Sequence, residues 1–305
     1  MKIVFMGTPE FAVPSLQILV ENGFDVVGVI TAPDKPKGRG KKLQGTPVKD
    51  YAESVGLSIL QPTNLKSAEF IEELKSLRAD LQIVVAFRML PEQVWDMPPK
   101  GTFNLHASLL PQYRGAAPIN WAIINGEKET GATTFFLQHE IDTGNVIDQI
   151  KEPIHDEDSV GELYERLMHN GAKLVLSTVQ QIVKGEVVTK PQMESAELKA
   201  APKIHKETCE INWNQPSEQI RNFVRGLSPY PAAWTQWNDK NFKIYKVAHS
   251  TDAIDQSLYP GQIQTDGKNR LSVKTSNGFL DILEIQMEGK KRMGIQDLLR
   301  GYNFV

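Results

Sequence analysis

The cadence of apolar runs and amphipathic stretches over the first 184 residues restricts this fold most. Ile3-Val4-Phe5-Met6 is a short apolar run that ends at Gly7-Thr8-Pro9. A helical pattern follows, with Phe11, Leu16, Leu19 and Val20 on one face as far as Asn22-Gly23, and Val26 to Ile30 is the next apolar run. Strand, turn, helix and strand in that order make a βαβ unit. Thr46-Pro47 reads as an N-cap followed by proline at the first helical position, opening a helix to about Val55. Leu57 to Leu60 is a small strand, Ser67 to about Leu77 is amphipathic, and Leu81 to Phe87 is apolar and β-branched, hence a central strand. Thr102 to His106 is a further strand, Pro118 to Asn125 a helix, and Ala132 to Leu137 and Val146 to Ile150 two more strands. Ser159 to about Lys184 is a long amphipathic helix carrying Leu163, Leu167, Leu174 and Val175. The expected class is α/β: a Rossmann-like open sheet, mostly parallel, with helices on both faces.

Beyond Gly185 the pattern fades, and Pro191, Pro202 and several Lys and Glu residues read as an extended linker. After it come a helix near Ser217 to Gly226 and short runs at Ala233–Trp237, Phe242–Ala248, Gly261–Gln264, Leu271–Thr275 and Phe279–Met287. Short strands at this spacing predict a small OB-like β-barrel. The expected organisation is an α/β domain over 1–188, a linker over 189–205 and a C-terminal barrel over 206–305, two domains being normal for 305 residues.

The net charge of −3 argues against a general nucleic-acid coat protein, but the average hides a segregation. Residues 205–305 hold thirteen basic against eleven acidic residues. Residues 35–49 hold six basic residues (Lys35, Lys37, Arg39, Lys41, Lys42 and Lys49) and no acidic one. Taken alone such a run is as well explained by a solvated loop as by an anion-binding one. The single cysteine, Cys209, cannot form an internal disulfide, and neither a signal-peptide run nor a stretch of about 20 apolar residues occurs. The expected compartment is the cytoplasm, and nothing in the sequence argues against a monomer.

Two polar residues interrupt the strand Thr102-Phe-Asn-Leu-His106. Residues two apart in a strand point to one face, so Asn104 and His106 present an amide and an imidazole side by side. Buried, each needs a partner or costs stability, which marks the pair as a candidate site. A third polar element is Asp142-Thr143-Gly144, which follows a strand. It reads either as a capped turn or as a carboxylate at the sheet edge near His106, where it would favour the charged imidazolium. Asn104 would then offer an N–H to a developing oxyanion. The trio holds no nucleophile and suits direct transfer between two bound substrates.

Other chemistries fit less well. Gly7-Thr-Pro-Glu10 lacks the G-x-G-x-x-G of a dinucleotide turn, and no P-loop is present, so a nicotinamide cofactor is not expected. His139-Glu140 begins like H-E-x-x-H, but the fifth position is Thr143, so no metal is expected. Ser108 follows His106 by two residues but stands outside G-x-S-x-G and opens a turn into Leu109-Leu110-Pro111.

The segment from Asn104 to Gly115, with Ser108-Leu109-Leu110-Pro111 inside it and Asp142-Thr-Gly144 after it, resembles the formyltransferase family that uses 10-formyltetrahydrofolate. The resemblance places the family's catalytic Asn, His and Asp on Asn104, His106 and Asp142. It implies folate contacts from Ser108, Leu109, Leu110 and Pro111, and from Phe87, Arg88 and Leu90; Arg88 stands where the family commonly carries a small residue. Within the family the chain is similar to the branch acting on methionyl-tRNA, over nearly its whole length. Phe5-Met-Gly-Thr-Pro9, Pro33-Asp-Lys-Pro36 with Gly38 to Leu43, Lys203 to Trp213, and Gly289 to Met293 with Asp297 to Leu299 carry that match. It implies transfer of a formyl group from 10-formyltetrahydrofolate to the α-amino group of methionyl-initiator tRNA. Lys35, Lys37, Arg39, Lys41 and Lys42 are then expected on the tRNA acceptor end, with Lys290, Lys291 and Arg292 as further tRNA contacts. A formyltransferase acting on a small amine or nucleotide-sugar, and a tRNA-binding protein without catalysis, are the alternatives.

Overall fold

The computed structural model describes residues 1–37, 42–251, 255 and 257–304, apart from the side chains of Lys37 and Lys42. The chain packs as two compact units. The first comprises Met1–Gly115, Thr130–Glu152 and Tyr164–Ala200; the second comprises Ala116–Glu129, Pro153–Leu163 and Ala201–Val305. Two stretches from within the first 188 residues therefore pack with the C-terminal part. No helix among the described residues is long and apolar enough to cross a membrane.

The chain begins with β1 (Lys2–Gly7), α1 (Val13–Glu21), β2 (Asp25–Ile30), a short hairpin of β3 (Lys35–Lys37) and β4 (Lys42–Gln44), α2 (Pro47–Ser54) and β5 (Ile59–Leu60). It continues through α3 (Ala68–Ser76), β6 (Leu81–Val85), α4 (Glu92–Trp95), β7 (Thr102–His106), α5 (Pro118–Ile124), β8 (Glu129–Phe136), β9 (Val146–Pro153) and α6 (Val160–Lys184). The first unit is built on a seven-stranded sheet in the order β5-β2-β1-β6-β7-β8-β9. The five strands from β5 to β7 are parallel, and β8 runs antiparallel to β7. Helices on both faces explain the unbroken apolar run Ile3–Met6. Val4 and Met6 share a core with Ile30, Val84, Phe70, Leu74 and Val94, while Ile3 and Phe5 of the opposite face are equally buried. Thr46 caps α2 as its position before Pro47 predicts, its hydroxyl accepting from the Lys49 N–H at 3.1 Å.

From β1 the chain fills one side of the sheet with β2 and β5, then returns to place β6 and β7 on the other. At such a reversal open α/β sheets bind ligands beyond the carboxyl ends of the central strands. Gly7, Val85 and Leu105 lie in adjacent register there, so β7 delivers His106 to that edge.

The second unit adds α7 (Ser217–Leu227), β10 (Ala233–Trp237), β11 (Lys240–His249), β12 (Ile263–Thr265), β13 (Leu271–Lys274), β14 (Phe279–Met287), β15 (Met293–Gly294) and α8 (Ile295–Leu299). Its strands form an antiparallel sheet in the order β10-β11-β14-β13-β12, with β15 on β14, curled as a half-barrel. Phe242, Ile244, Leu280 and Ile285 fill its core with Ile220, Val224 and Leu227 of α7. α5 belongs here because it lies against α7. The Asn120 amide donates to the Gly226 carbonyl at 2.8 Å, and a Cβ on Gly226 would sit 2.6 Å from Ile124. Residues 155–158 are held by Arg225, whose buried guanidinium donates to the carbonyls of His155 and Asp158 at 3.3 and 3.1 Å.

Candidate active site

β7 presents its side chains to two faces. Phe103 and Leu105 point one way; a Cβ on Gly171 of α6 would lie 2.9 Å from Leu105, so α6 closes that side. Asn104 and His106 share the other face by the two-residue period of a strand. His106 is buried, and its Nε2 lies 2.8 Å from the Tyr113 carbonyl. A carbonyl can only accept, so Nε2 carries the proton and donates, and Nδ1 is the ring atom left for chemistry. Nδ1 faces Asp142 Oδ2 at 3.8 Å, longer than a direct hydrogen bond. Asn104 is half-buried, and its amide has no hydrogen-bond partner among the described residues. The structure thus brings Asn104, His106 and Asp142 to one edge of the sheet.

Asp142 sits in a turn between β8 and β9 with φ 57°, a left-handed conformation rarely adopted outside glycine. Its Oδ2 accepts from the Gly115 N–H at 3.1 Å. Gly144 has to be glycine, because a Cβ would lie 1.7 Å from the Phe136 carbonyl oxygen.

The loop Ser108–Pro111 follows β7 directly. Ser108 is fully buried, and its hydroxyl donates to the Gln112 carbonyl at 2.6 Å; His106 is engaged by Tyr113 instead, so the two do not form a nucleophile and base pair. Thr133, opposite His106 on β8, donates to the Ser108 carbonyl at 2.6 Å and accepts from the Leu110 N–H at 3.1 Å. Gln149 donates to the Leu110 carbonyl and to the Thr133 hydroxyl, both at 2.9 Å. Leu109 and Pro111 are half-buried and Leu110 is buried.

Phe87 and Leu90 follow the carboxyl end of β6. Leu90 is buried in the core with Val94, and Phe87 packs against the same cluster. Arg88 turns back onto a neighbouring loop: its guanidinium donates to the Pro62 carbonyl and to the Thr63 carbonyl, the latter at 3.0 Å, and lies 5.7 Å from the Phe87 ring centre.

The basic segment forms the hairpin of β3 and β4, pairing Lys35 with Gln44 and Lys37 with Lys42. Arg39 and Lys41 lie outside the described residues, and Lys35 is exposed. Lys49, the last base of the run, is neutralised by Asp34 at 2.6 Å. Hydrogen bonds from Gln61 and Lys49 hold the Asp34 carboxyl below its ordinary range and tie down the base of the hairpin. In the second unit Lys290, Lys291 and Arg292 are exposed in the turn between β14 and β15. Arg292 is partly occupied by Glu284 and stacks over Tyr245, 4.4 Å from its ring centre.

Sequence reasoning missed the groups that hold the site. Thr133 carried no periodic signal, because β8 is buried on both faces from Thr130 to Phe135 and nothing in its pattern sets Thr133 apart. Arg114 and Gln192 carried none: the Gln192 amide reaches from the irregular 189–205 segment to join Arg114 to the Asp142 turn.

Comparison with known proteins agrees with this architecture. Residues 1–179 match the family described as Formyl transferase, and residues 203–303 match Formyl transferase, C-terminal domain. A methionyl-tRNA formyltransferase of Bacteroides fragilis is 57% identical over 309 residues, covering 99% of this chain and 95% of that one. One from Flavobacterium johnsoniae is 51% identical over 308 residues, covering 100% and 97%. Among solved structures, the sugar 3N-formyl transferase WlaRD, crystallised with dTDP and 5-N-formyl-THF, superposes with a TM-score of 0.68 at 22% identity, covering 95% of this chain and 99% of that one. The methionyl-tRNA formyltransferase from Clostridium thermocellum superposes with a TM-score of 0.57 at 15% identity, covering 83% and 95%. The chain belongs to the formyl transferase family, in its methionyl-tRNA formyltransferase branch.

Proposed function

We propose that the chain transfers the formyl group of 10-formyltetrahydrofolate to the α-amine of methionyl-initiator tRNA, with Asn104, His106 and Asp142 as the catalytic residues. One observation carries the reading: an amide without a partner, an imidazole tied at Nε2 and a carboxylate 3.8 Å from Nδ1 meet at the carboxyl end of β7. The donor supplies an electrophilic one-carbon unit. In this reading Ser108 to Pro111, Phe87, Arg88 and Leu90 are the residues assigned to holding it.

The free amine attacks the formyl carbon, and negative charge develops on the formyl oxygen. Asn104 donates its amide N–H to that oxygen, and His106, protonated at Nδ1, donates a second hydrogen bond. Asp142 stabilises the charged ring and takes the amine proton, directly or through water; collapse of the oxyanion then breaks the bond from the formyl carbon to N10, and that proton is returned to N10 so that tetrahydrofolate leaves. Its Oδ2 already accepts from Gly115, while Oδ1 has no partner among the described residues and is the acceptor at hand.

For the nucleic acid, Lys35, Lys37, Arg39, Lys41 and Lys42 meet phosphates of the acceptor end, and Lys290, Lys291 and Arg292 add contacts from the C-terminal half-barrel. Residues 1–188 then carry the chemistry and the basic hairpin, 206–305 supply further RNA contacts, 189–205 link them, and the enzyme works as a cytoplasmic monomer.

The test is a formylation assay with 10-formyltetrahydrofolate and three acceptors: charged initiator tRNA, charged elongator tRNA and an amino-sugar nucleotide. Initiator tRNA should be formylated at least tenfold faster than either competitor. Equal or faster formylation of the sugar nucleotide would overturn the substrate assignment.

A further inference from the structure

We infer that Gln192 is a positioning residue for Asp142, setting where its carboxylate stands relative to His106. The inference rests on the catalytic reading of Asp142 given above. The Gln192 side chain is half-buried and its hydrogen-bonding capacity is filled. Its Nε2 donates to the Asp142 and Gly144 carbonyls at 2.8 and 2.9 Å. Its Oε1 accepts from Arg114 Nε and Nη2 at 3.1 and 2.8 Å. Flipping the amide would set oxygen against two carbonyls and NH2 against a guanidinium, so only one orientation is tolerated.

These contacts close a ring. Arg114 donates to Gln192, Gln192 donates to the Asp142 carbonyl, the Asp142 carboxylate accepts from the Gly115 N–H, and Gly115 is bonded to Arg114. The residue before Arg114 is Tyr113, whose carbonyl fixes His106 Nε2. Both partners of the 3.8 Å gap are therefore keyed to Tyr113–Gly115, and Gln192 supplies the link on the Asp142 side. Asp tolerates the left-handed φ of 57° without that conformation fixing where its carboxylate stands, and the two Gln192 hydrogen bonds to the turn carbonyls pin it. Glu194 completes the brace, accepting from Arg114 Nη1 at 2.8 Å.

The chemistry demands glutamine rather than merely an Arg114 partner. A carboxylate here would pair more strongly with Arg114 but would have nothing to donate to the two carbonyls and would repel them. Gln192→Ala and the isosteric Gln192→Glu should both lower the single-turnover rate of formyl transfer on the order of tenfold to a hundredfold, the scale of an ångström-sized misplacement. KM for both substrates should stay within about twofold of wild type, since neither binding surface is touched. In an Asp142→Ala background, either Gln192 change should add less than about twofold, because there is no carboxylate left to place.

Thermal melts accompany each variant, and Gln192→Glu carries the test if Gln192→Ala does not fold. A wild-type rate in Gln192→Glu would reduce the residue to a structural partner of Arg114 and overturn the inference. So would losses that multiply with Asp142→Ala. Undiminished rate in Asp142→Ala itself would overturn the catalytic reading, and this inference with it; that arm separates the two failures.

Discussion

At the scale of single residues, the site works by leaving a few polar atoms free and fixing all the others. His106 gives up Nε2 to the Tyr113 carbonyl, which leaves Nδ1 facing Asp142. Ser108, which the sequence reads as the opening of a turn, is a staple within its own loop. Thr133 bridges that loop from a fully buried position, with one donor and two acceptor contacts filled. Thr133→Val keeps the volume but leaves the Leu110 N–H and the Ser108 carbonyl short of a partner. It should cost about 1–3 kcal/mol in urea unfolding and raise KM for the folate donor. A variant with wild-type stability and wild-type folate KM would remove Thr133 from the account. The pair Asn104 and His106 was legible because a strand repeats every two residues, and two polar side chains on one face of an apolar run stand out. Gln192 was not, because an irregular segment has no period, and its partners lie fifty and seventy-eight residues away.

Elements decide where these residues can act. The alternation of strands and helices could be read because each strand of the first sheet is long or apolar enough to interrupt the helical period. The hairpin of β3 and β4 reads as a loop, since three-residue strands made of Lys, Pro, Leu and Gln show no pattern. The proposed reading puts it on RNA. Replacing Lys35 and Lys42 together by Ala should weaken tRNA binding and flatten the slope of log K against log salt by about 0.7–0.9 for each phosphate left without its cation, with folate KM unchanged. A fall in folate affinity with an unchanged salt slope would assign the hairpin to the donor site instead. The turn between β12 and β13 offers an independent check on local electrostatics. Asp266 accepts backbone N–H bonds from Lys268, Asn269 and Arg270 at 2.9, 2.7 and 2.9 Å, which hold its carboxyl down at about 2. Because the folded value is depressed, its stabilisation is full above the unfolded value of about 3.9 and disappears as pH falls through about 2. Carbon-detected titration of Asp266 should give a midpoint near 2. A midpoint at about 3.9 would show that the turn does not form as described.

For the whole molecule, connectivity and packing divide the chain differently. Residues 116–129 and 153–163 pack with 201–305, through α5 on α7 and through Arg225 on the carbonyls of 155 and 158. These are long-range contacts between segments that each look ordinary, so periodicity could not reveal them. A fragment cut after residue 188 would strip α7 from the Asn120 and Ile124 face of α5 and would lack Gln192. It should bind a hydrophobic dye and melt without the cooperativity of the full chain. A cooperative melt without dye binding would show that the first 188 residues fold independently of those contacts. The charge distribution follows similar logic: with a net charge of −3, attraction for RNA has to come from local basic patches rather than from the molecule's overall field.

The claim on which the functional account turns is that an amide, an imidazole and a carboxylate converge on one reacting carbon. The most direct measurement is the single-turnover rate of formyl transfer to charged initiator tRNA by Asn104→Ala and Asp142→Ala, each with a wild-type thermal melt and tRNA affinity. The account predicts losses on the order of a hundredfold or more in both, the scale of removing an oxyanion donor or an acid-base group. Near-wild-type rates in both would contradict it.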